Sequence, residues 1–208
     1  MKKVVIVGAS RTPMGGFHGE MSQATAPELG GAAIKGAIEG AGVKNDSIDE
    51  VIMGNVLSAG QGQAPARQAS FNAGLSESVP AVTLNKMCGS GLKSVIYAHD
   101  QIKAGTSELV AAGGMESMTN APYISPKMRA GARVGHQQMY DHMFLDGLED
   151  AYEPGRLMGT FAEDTAELFQ FTREQQDEYA IGSLNNALNA QKEDCLLYTS
   201  PSPRDSGK

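Results

Sequence analysis

The chain has 208 residues and a formal net charge of −7, and 41% of its residues are hydrophobic and 20% charged. This balance is typical of a folded globular protein, while the acidic charge and the lack of any run of roughly 20 apolar residues argue against nucleic-acid and membrane partners. The two cysteines, Cys88 and Cys195, form neither a disulfide scaffold nor a zinc-ligand spacing, so we expect a cytoplasmic protein without a metal site.

Short apolar runs alternate with helical stretches over the first 115 residues, a pattern typical of βαβ units and a mainly parallel sheet. The predicted strands lie at residues 4–7, 49–53, 81–85 and 108–112. Between them, helices are predicted to begin near Thr25, at residue 65 and just after Cys88. The sequence therefore predicts an α/β fold with a βαβαβαβ core and right-handed crossovers.

Several of these elements carry specific local patterns. Residues 4–7 read VVIV, a continuous apolar run that is expected of a strand covered on both faces. Thr25 and Glu28 form a capping-box pattern with Pro27 in the first turn, and glycines at positions 40 and 42 favour the end of that helix.

The helix after Cys88 shows an apolar stripe with spacings of three and four residues. Its members are Leu92, Val95, Ile96, His99 and Ile102. We expect this stripe to face the core, with His99 as a buried and satisfied histidine.

Hydrophobic periodicity is absent from residue 115 to about residue 159, where prolines and glycines are frequent. Such a stretch is usually a functional loop or a small inserted subdomain, and a mobile linker is the alternative. The runs TFAE at 160–163 and TREQ at 172–175 repeat the capping-box pattern, so each is predicted to open a helix. The second helix carries Ile181, Leu184 and Leu188 on one stripe.

Residues 195–208 read CLLYTSPSPRDSGK and differ in character from the chain before them. A native disordered terminus is one explanation. We favour the other, a foreign translation product joined to a truncated gene.

The strongest local feature is the run NKMCGSGLK at residues 85–93, which places Cys88 between a predicted strand and a predicted helix. Gly89 and Gly91 allow a sharp turn, which would expose the cysteine at the carboxyl edge of the sheet. A helix that starts there favours the thiolate, the reactive form of cysteine. A buried structural cysteine is the alternative, whereas phosphate-loop and dinucleotide-binding motifs are incomplete.

A thiolate nucleophile needs a base, and the chain offers four histidines for that role: His18, His99, His136 and His142. None has a pattern that assigns it. His136 and His142 fall in the long loop, where a solvated histidine is the expected state. Glu163 and Asp164 belong to a predicted helix start, where an acid is expected without catalysis.

Six motifs together resemble the amino-terminal half of a thiolase. In chain order they are RTP at 11–13, QAPARQ at 63–68, NKMCGSGLK at 85–93, GGMESM at 113–118, DGL at 146–148 and MGT at 158–160. The resemblance covers residues 1 to about 194, and six ordered motifs are far more specific than any one.

The resemblance implies a layered thiolase-like fold, with an amino-terminal core at residues 1–118 and part of a loop domain at 119–194. It implies acyl transfer between coenzyme A thioesters, by Claisen condensation or thiolysis through an acyl-enzyme on Cys88, whose backbone N–H would donate to the oxyanion. Met158 would bind substrate beside the acyl pocket. Acetyl-CoA and acetoacetyl-CoA are the implied substrates, with no separate cofactor, and the intact protein would be a homo-oligomer.

This sequence also departs from the thiolase pattern. Thiolases complete the site with an Asn, a His in a GHP run and a second Cys in a CxGG run, and none of these motifs occurs here. Leu157 stands where many relatives have a histidine that contacts coenzyme A. The 208-residue chain is therefore expected to be inactive by itself, and both biosynthetic and degradative thiolases remain open.

Overall fold

The computed structural model describes residues 3–193, which divide into two compact units. Within the described range, the first unit comprises residues 3–147 and the second residues 148–193. The first unit combines helices with a parallel sheet, so the predicted α/β class is confirmed. The predicted domain boundary after residue 118 stays a prediction.

Three parallel strands and three helices alternate in the first unit. The strands are β1 (Glu50–Gly54), β2 (Ala81–Leu84) and β3 (Val110–Gly114). The helices are α1 (Ala26–Ala41), α2 (Pro65–Asn72) and α3 (Ser90–Ala104). Strand β1 lies in the centre and pairs in parallel with β2 on one side and β3 on the other. The carboxyl ends of all three strands therefore meet at one edge of the sheet.

The central strand is buried on both faces. Val51 and Met53 belong to the apolar cluster that includes residues of α1 and α2. Ile52 points to the opposite face and is equally buried, at 2% exposure. Gly54, on that same face, lies directly against the start of α3. The sheet is thus covered by α1 and α2 on one face and by α3 on the other.

Helix α1 begins and ends as the sequence predicts. The Thr25 hydroxyl accepts a hydrogen bond from the Glu28 N–H, and the Glu28 carboxylate accepts one from the Thr25 N–H at 2.8 Å. Gly42 closes the helix in the left-handed conformation with φ +66°. These contacts confirm the predicted capping box.

The predicted strand at residues 4–7 is wrong, because these residues pair with none of the described strands. Val5, Ile6 and Val7 are 59%, 78% and 55% exposed. An apolar run becomes a strand only where a neighbour pairs with its N–H and C=O groups, and apolar character alone does not supply that neighbour. The parallel sheet of the described chain consequently has three strands instead of the four predicted.

The predicted core face of α3 is also wrong. Leu92 and Ile96 are 69% and 42% exposed, whereas the face against the sheet consists of Ser90, Ser94 and Ala98. Two residues along a helix correspond to a rotation of roughly 200°, so these two sets lie on opposite faces. Small side chains let α3 approach the sheet closely. Of the predicted apolar stripe, only Val95 and Ile102 are half-buried, so the stripe as a whole does not form the core face.

The stretch after β3 is irregular, as the missing periodicity indicates. It contains short 3₁₀ turns and one small antiparallel pair, β4 (Tyr123–Ile124) with β5 (Tyr140–Asp141). A short π-helical segment at Phe144–Leu148 follows β5.

The second unit contains two helices, α4 (Met158–Leu168) and α5 (Arg173–Lys192). The predicted capping box at Thr172 is confirmed, since its hydroxyl accepts from the Gln175 N–H. The one predicted at Thr160 is wrong: α4 already begins at Met158, and the Thr160 hydroxyl donates back to the Leu157 carbonyl at 2.7 Å.

The apolar stripe of α5 is exposed. Its members Ile181, Leu184 and Leu188 show 59%, 59% and 44% exposure.

No helix within residues 3–193 is long and apolar enough to cross a membrane. The predicted foreign tail at residues 195–208 lies outside the described residues.

Candidate active site

Cys88 lies in the turn that connects β2 to α3, and its side chain is exposed. Two backbone hydrogen bonds close the turn: the Gly89 N–H donates to the Lys86 carbonyl at 3.1 Å, and the Ser90 N–H donates to the Met87 carbonyl at 3.0 Å. The sequence motif thus places the cysteine at the carboxyl edge of the sheet, as predicted.

The residue before the cysteine adopts an unusual backbone conformation. Met87 has φ +48°, a left-handed value that a side chain with a Cβ rarely takes and that costs on the order of 1–3 kcal/mol. The neighbouring side chains hold it there. The Asn85 side-chain oxygen accepts from the Met87 N–H at 2.8 Å, while the Ser90 hydroxyl accepts from the Lys86 N–H and donates to the Met87 carbonyl. Such maintained strain is typical of functional sites.

Glycines at two strand ends bring the start of α3 to the sheet edge. A Cβ on Gly54 would lie 2.5 Å from the Ser90 carbonyl carbon, and a Cβ on Gly114 would lie 3.1 Å from the Gly91 Cα. Only a residue without a side chain fits at the first position. The helix that follows Cys88 therefore begins directly above the ends of β1 and β3, where its N-terminus favours an anionic group.

An open cleft of about 310 Å³ adjoins Cys88. Its lining comes from the Cys88 turn, the start of α3 and the residues that follow β1 and β3. These residues are Gly54, Asn55, Val56, Met87, Cys88, Ser90, Gly91, Gly114, Met115 and Glu116. The cleft thus lies at the carboxyl edge of a parallel sheet, the usual position for ligands in such folds.

Glu116 is a cleft residue whose role the sequence pattern did not indicate. Its carboxylate accepts hydrogen bonds from the Asn55 side-chain amide at 2.7 Å and from the backbone N–H groups of Val56 and Leu57 at 2.8 and 3.1 Å. Burial raises the pKa of Glu116 above its usual value, and these hydrogen bonds oppose that rise. The available signal was an acidic residue two positions after the Gly-Gly end of a predicted strand.

The expectation of a solvated His142 is wrong. Its exposure is 5%, and its Nε2 accepts a hydrogen bond from the Ala59 N–H at 3.3 Å. Because a backbone N–H can only donate, Nδ1 carries the ring hydrogen and donates it to the Asp146 carboxylate at 2.6 Å. His142 is therefore a structural partner of the segment after β1.

The other three histidines have different surroundings. The expectation of a buried His99 is wrong, because its side chain is 50% exposed and lies 3.1 Å from the Asp100 carboxylate. His18 packs its ring against Phe17, and His136 is exposed in the loop between β4 and β5. Among the described residues, no histidine ring is hydrogen-bonded to Cys88. None of the four histidines is therefore placed to act as the base for Cys88.

Met158, the second predicted site residue, belongs to the second unit, where it begins α4 and is 50% exposed. Asp164 lies within α4, not at its start, and pairs with Arg156 in the same unit. Within residues 3–193, no group of three or more His, Cys, Asp or Glu side chains is placed to hold a metal ion.

Comparison with known proteins supplies the family. The family model described as "Thiolase, N-terminal domain" matches residues 4–197. The chain belongs to the thiolase family. This match confirms the resemblance that the six motifs indicate.

Curated relatives of this thiolase chain include three enzymes named acetyl-CoA acetyltransferase. One from Cupriavidus necator is 52% identical over 192 residues, which cover 92% of this chain and 49% of the relative. One from Pseudomonas aeruginosa is 48% identical and covers 91% and 48%, and acetyl-CoA acetyltransferase 2 from Arabidopsis thaliana is 49% identical and covers 92% and 47%. The chain spans about half the length of the curated relatives that it matches.

Proposed function

We propose that this thiolase chain forms part of an acetyl-CoA C-acetyltransferase in which Cys88 is the nucleophile. The observation that carries the proposal is an exposed cysteine on a strained turn, beside a cleft at the carboxyl edge of the sheet. The names of the relatives support acetyl-CoA as the acyl donor. Acetyl-CoA and acetoacetyl-CoA are accordingly the proposed substrates.

The proposed first step is acyl transfer to Cys88. The thiolate sulfur attacks the thioester carbonyl carbon, a new C–S bond forms, and the negative charge moves to the carbonyl oxygen. The backbone N–H of Cys88 is the proposed donor to this oxyanion. The oxyanion then collapses, the bond between the carbonyl carbon and the coenzyme A sulfur breaks, and coenzyme A leaves as a thiolate that takes up a proton.

A base would then take a proton from the methyl carbon of a second acetyl-CoA, and the resulting carbanion would attack the carbonyl carbon of the acetyl group on Cys88. A C–C bond forms, the bond from that carbon to the Cys88 sulfur breaks, and acetoacetyl-CoA and the Cys88 thiolate result. In the reverse direction, coenzyme A would cleave acetoacetyl-CoA. We assign the binding of the acyl group to Met158 and propose a cytoplasmic homo-oligomer as the complete enzyme. Since the thiolase resemblance places further catalytic residues in the carboxyl-terminal half, we propose that this chain alone does not turn over.

The decisive experiment is acetylation of Cys88 in the 208-residue chain. After incubation with acetyl-CoA and digestion with trypsin, we expect mass spectrometry to find an acetyl group on the peptide of residues 87–93. Cys88→Ala should remove this label, and Cys195→Ala should retain it. A wild-type chain that reacts with iodoacetamide at Cys88 but takes no acetyl group would contradict the proposal. Steady thiolysis of acetoacetyl-CoA that is lost in Cys88→Ala would instead contradict the proposed inactivity of the chain.

A further inference from the structure

The short segment after β1 forms one wall of the Cys88 cleft, and side chains hold its backbone. Asn55 and Val56 line the cleft directly. The N–H groups of Val56 and Leu57 donate to the Glu116 carboxylate, and the N–H of Ala59 donates to His142. These three backbone N–H groups therefore donate to two side chains from later parts of the chain, Glu116 and His142, and not to a neighbouring strand.

Glu116 is the point on which these hydrogen bonds converge. Its Oε1 accepts from the Asn55 amide and the Leu57 N–H, and its Oε2 accepts from the Val56 N–H. An ionised carboxylate is suited to this position because both of its oxygens accept and neither donates. A glutamine of the same shape would direct an NH₂ group towards at least one donor, so the arrangement selects an acid.

Asn55 shows how strongly this arrangement constrains its neighbour. It is 3% exposed, and its Nδ2 donates both to Glu116 and to the Met115 carbonyl at 3.2 Å. Within the described part of the chain, its Oδ1 is buried without a hydrogen-bond partner. A buried acceptor without a partner costs stability. The Asn55 amide is thus directed at Glu116 although this leaves the Asn55 oxygen without a partner in the described chain.

We propose that Glu116 is a positioning residue for the Cys88 cleft. It acts through the backbone of residues 55–57, which its carboxylate holds in place beside the cysteine. The titratable groups beside it are His142 and, on the far ring nitrogen of that histidine, Asp146. This inference rests on the proposed role of Cys88 and extends it to a second residue.

The test uses the 208-residue chain with Glu116→Gln, and Glu39→Gln as the matched control. Glu39 is an exposed carboxylate on α1, so its replacement makes the same chemical change away from the cleft. In Glu116→Gln we expect hydrogen exchange of the Val56 and Leu57 amides to accelerate by at least about tenfold, with β1 still protected. The control should match the wild type in both amide exchange and protection of β1.

A second variant separates charge from reach. Glu116→Asp keeps the charge but is one methylene shorter, so the two amides should exchange faster than in the wild type and more slowly than in Glu116→Gln. The inference is overturned if Glu116→Gln leaves amide exchange unchanged. It is equally overturned if exchange accelerates throughout the sheet, Met53 included, since that result indicates a purely structural role.

Acetyl-CoA labelling then distinguishes this inference from the proposed function. If the wild-type chain takes no acetyl group at Cys88, the proposed function fails, while the exchange measurements still decide whether Glu116 holds the cleft. If the wild type is acetylated, Glu116→Gln should be acetylated at least about tenfold more slowly. An equal rate in the two chains would overturn the positioning role.

Discussion

At the level of single residues, the cleft depends on a glycine whose neighbours leave no room for a side chain. A Cβ on Gly54 would lie 2.5 Å from the Ser90 carbonyl carbon and 2.7 Å from the Gly91 nitrogen, both of them backbone atoms. We therefore expect Gly54→Ala to push the start of α3 away from the sheet and to lower the free energy of unfolding by about 1–3 kcal/mol. Urea denaturation followed by circular dichroism measures this change.

Gly40→Ala is the control for this substitution. Gly40 lies near the end of α1, and no heavy atom outside the local helix backbone and its two chain neighbours stands within 4 Å of the position that its Cβ would take. Because alanine is the better helix former, the free energy of unfolding should stay the same or rise by up to about 1 kcal/mol. Equal stability of Gly54→Ala and Gly40→Ala would show that α3 does not need the close approach.

At the level of elements, substitutions on the two faces of α3 should differ in their effect on stability. Ser94 is fully buried, and its hydroxyl donates to the Gly113 carbonyl at 2.7 Å, whereas Leu92 is 69% exposed. We expect Ser94→Leu to lower the free energy of unfolding by about 1–3 kcal/mol, because the larger side chain separates the helix from β3. Leu92→Ser should change it by no more than about 0.5 kcal/mol. The reverse order of stabilities in thermal denaturation would restore the apolar stripe as the core face.

The capping box of α1 carries a prediction about pH. Hydrogen bonds from the Thr25 backbone N–H and hydroxyl lower the pKa of Glu28 in the folded chain. The stabilisation from this carboxylate is therefore present above the unfolded pKa and is lost as the pH falls through the lower folded pKa. Thr25→Ala removes the hydroxyl but keeps the backbone N–H, so it should raise the pKa of Glu28 only part of the way to its usual value, as measured by NMR titration of the side chain.

Thr25→Ser serves as the matched control for the cap, since serine retains the hydroxyl and should keep the pKa of Glu28 low. General loss of the helix would also change the backbone NMR signals of α1. A raised pKa of Glu28 with those signals intact therefore identifies loss of the capping box alone. An unchanged pKa in Thr25→Ala would mean that the Thr25 hydroxyl does not bind Glu28 in solution.

At the level of the whole molecule, both units expose apolar side chains that a monomeric protein usually covers. In the first unit these include Ile6, Leu92 and Ile96, and in the second Ile181 and Leu184. Contiguous exposed apolar surface promotes association. We expect the 208-residue chain to self-associate, with a sedimentation coefficient that rises with protein concentration.

The double substitution Leu92→Ser and Ile96→Ser should reduce this association, because both residues lie one turn apart on the exposed face of α3. Lys35→Ser with Glu39→Ser, on the exposed face of α1, is the control that changes two surface residues without removing apolar area. A wild-type chain that stays monomeric across the concentration range would refute the prediction.

The sequence by itself determined the features that depend on neighbours along the chain. The capping boxes at Thr25 and Thr172, the end of α1 at Gly42 and the turn at Cys88 all rest on contacts within about four residues, so their patterns are visible in one linear stretch. The family likewise followed from ordered local motifs. The physical reason is that helix starts, helix ends and tight turns satisfy their own backbone groups.

Tertiary structure alone decided the features that join distant parts of the chain. Glu116 holds Val56 across 60 positions, and His142 holds Ala59 across 83, so no local pattern marks them as partners. The buried face of α3 and the unpaired state of residues 4–7 are decided in the same way, by which surface meets the sheet and by whether a strand lies alongside. Burial and strand pairing are properties of the neighbours that a residue meets in space, and the linear pattern of apolar residues does not specify those neighbours.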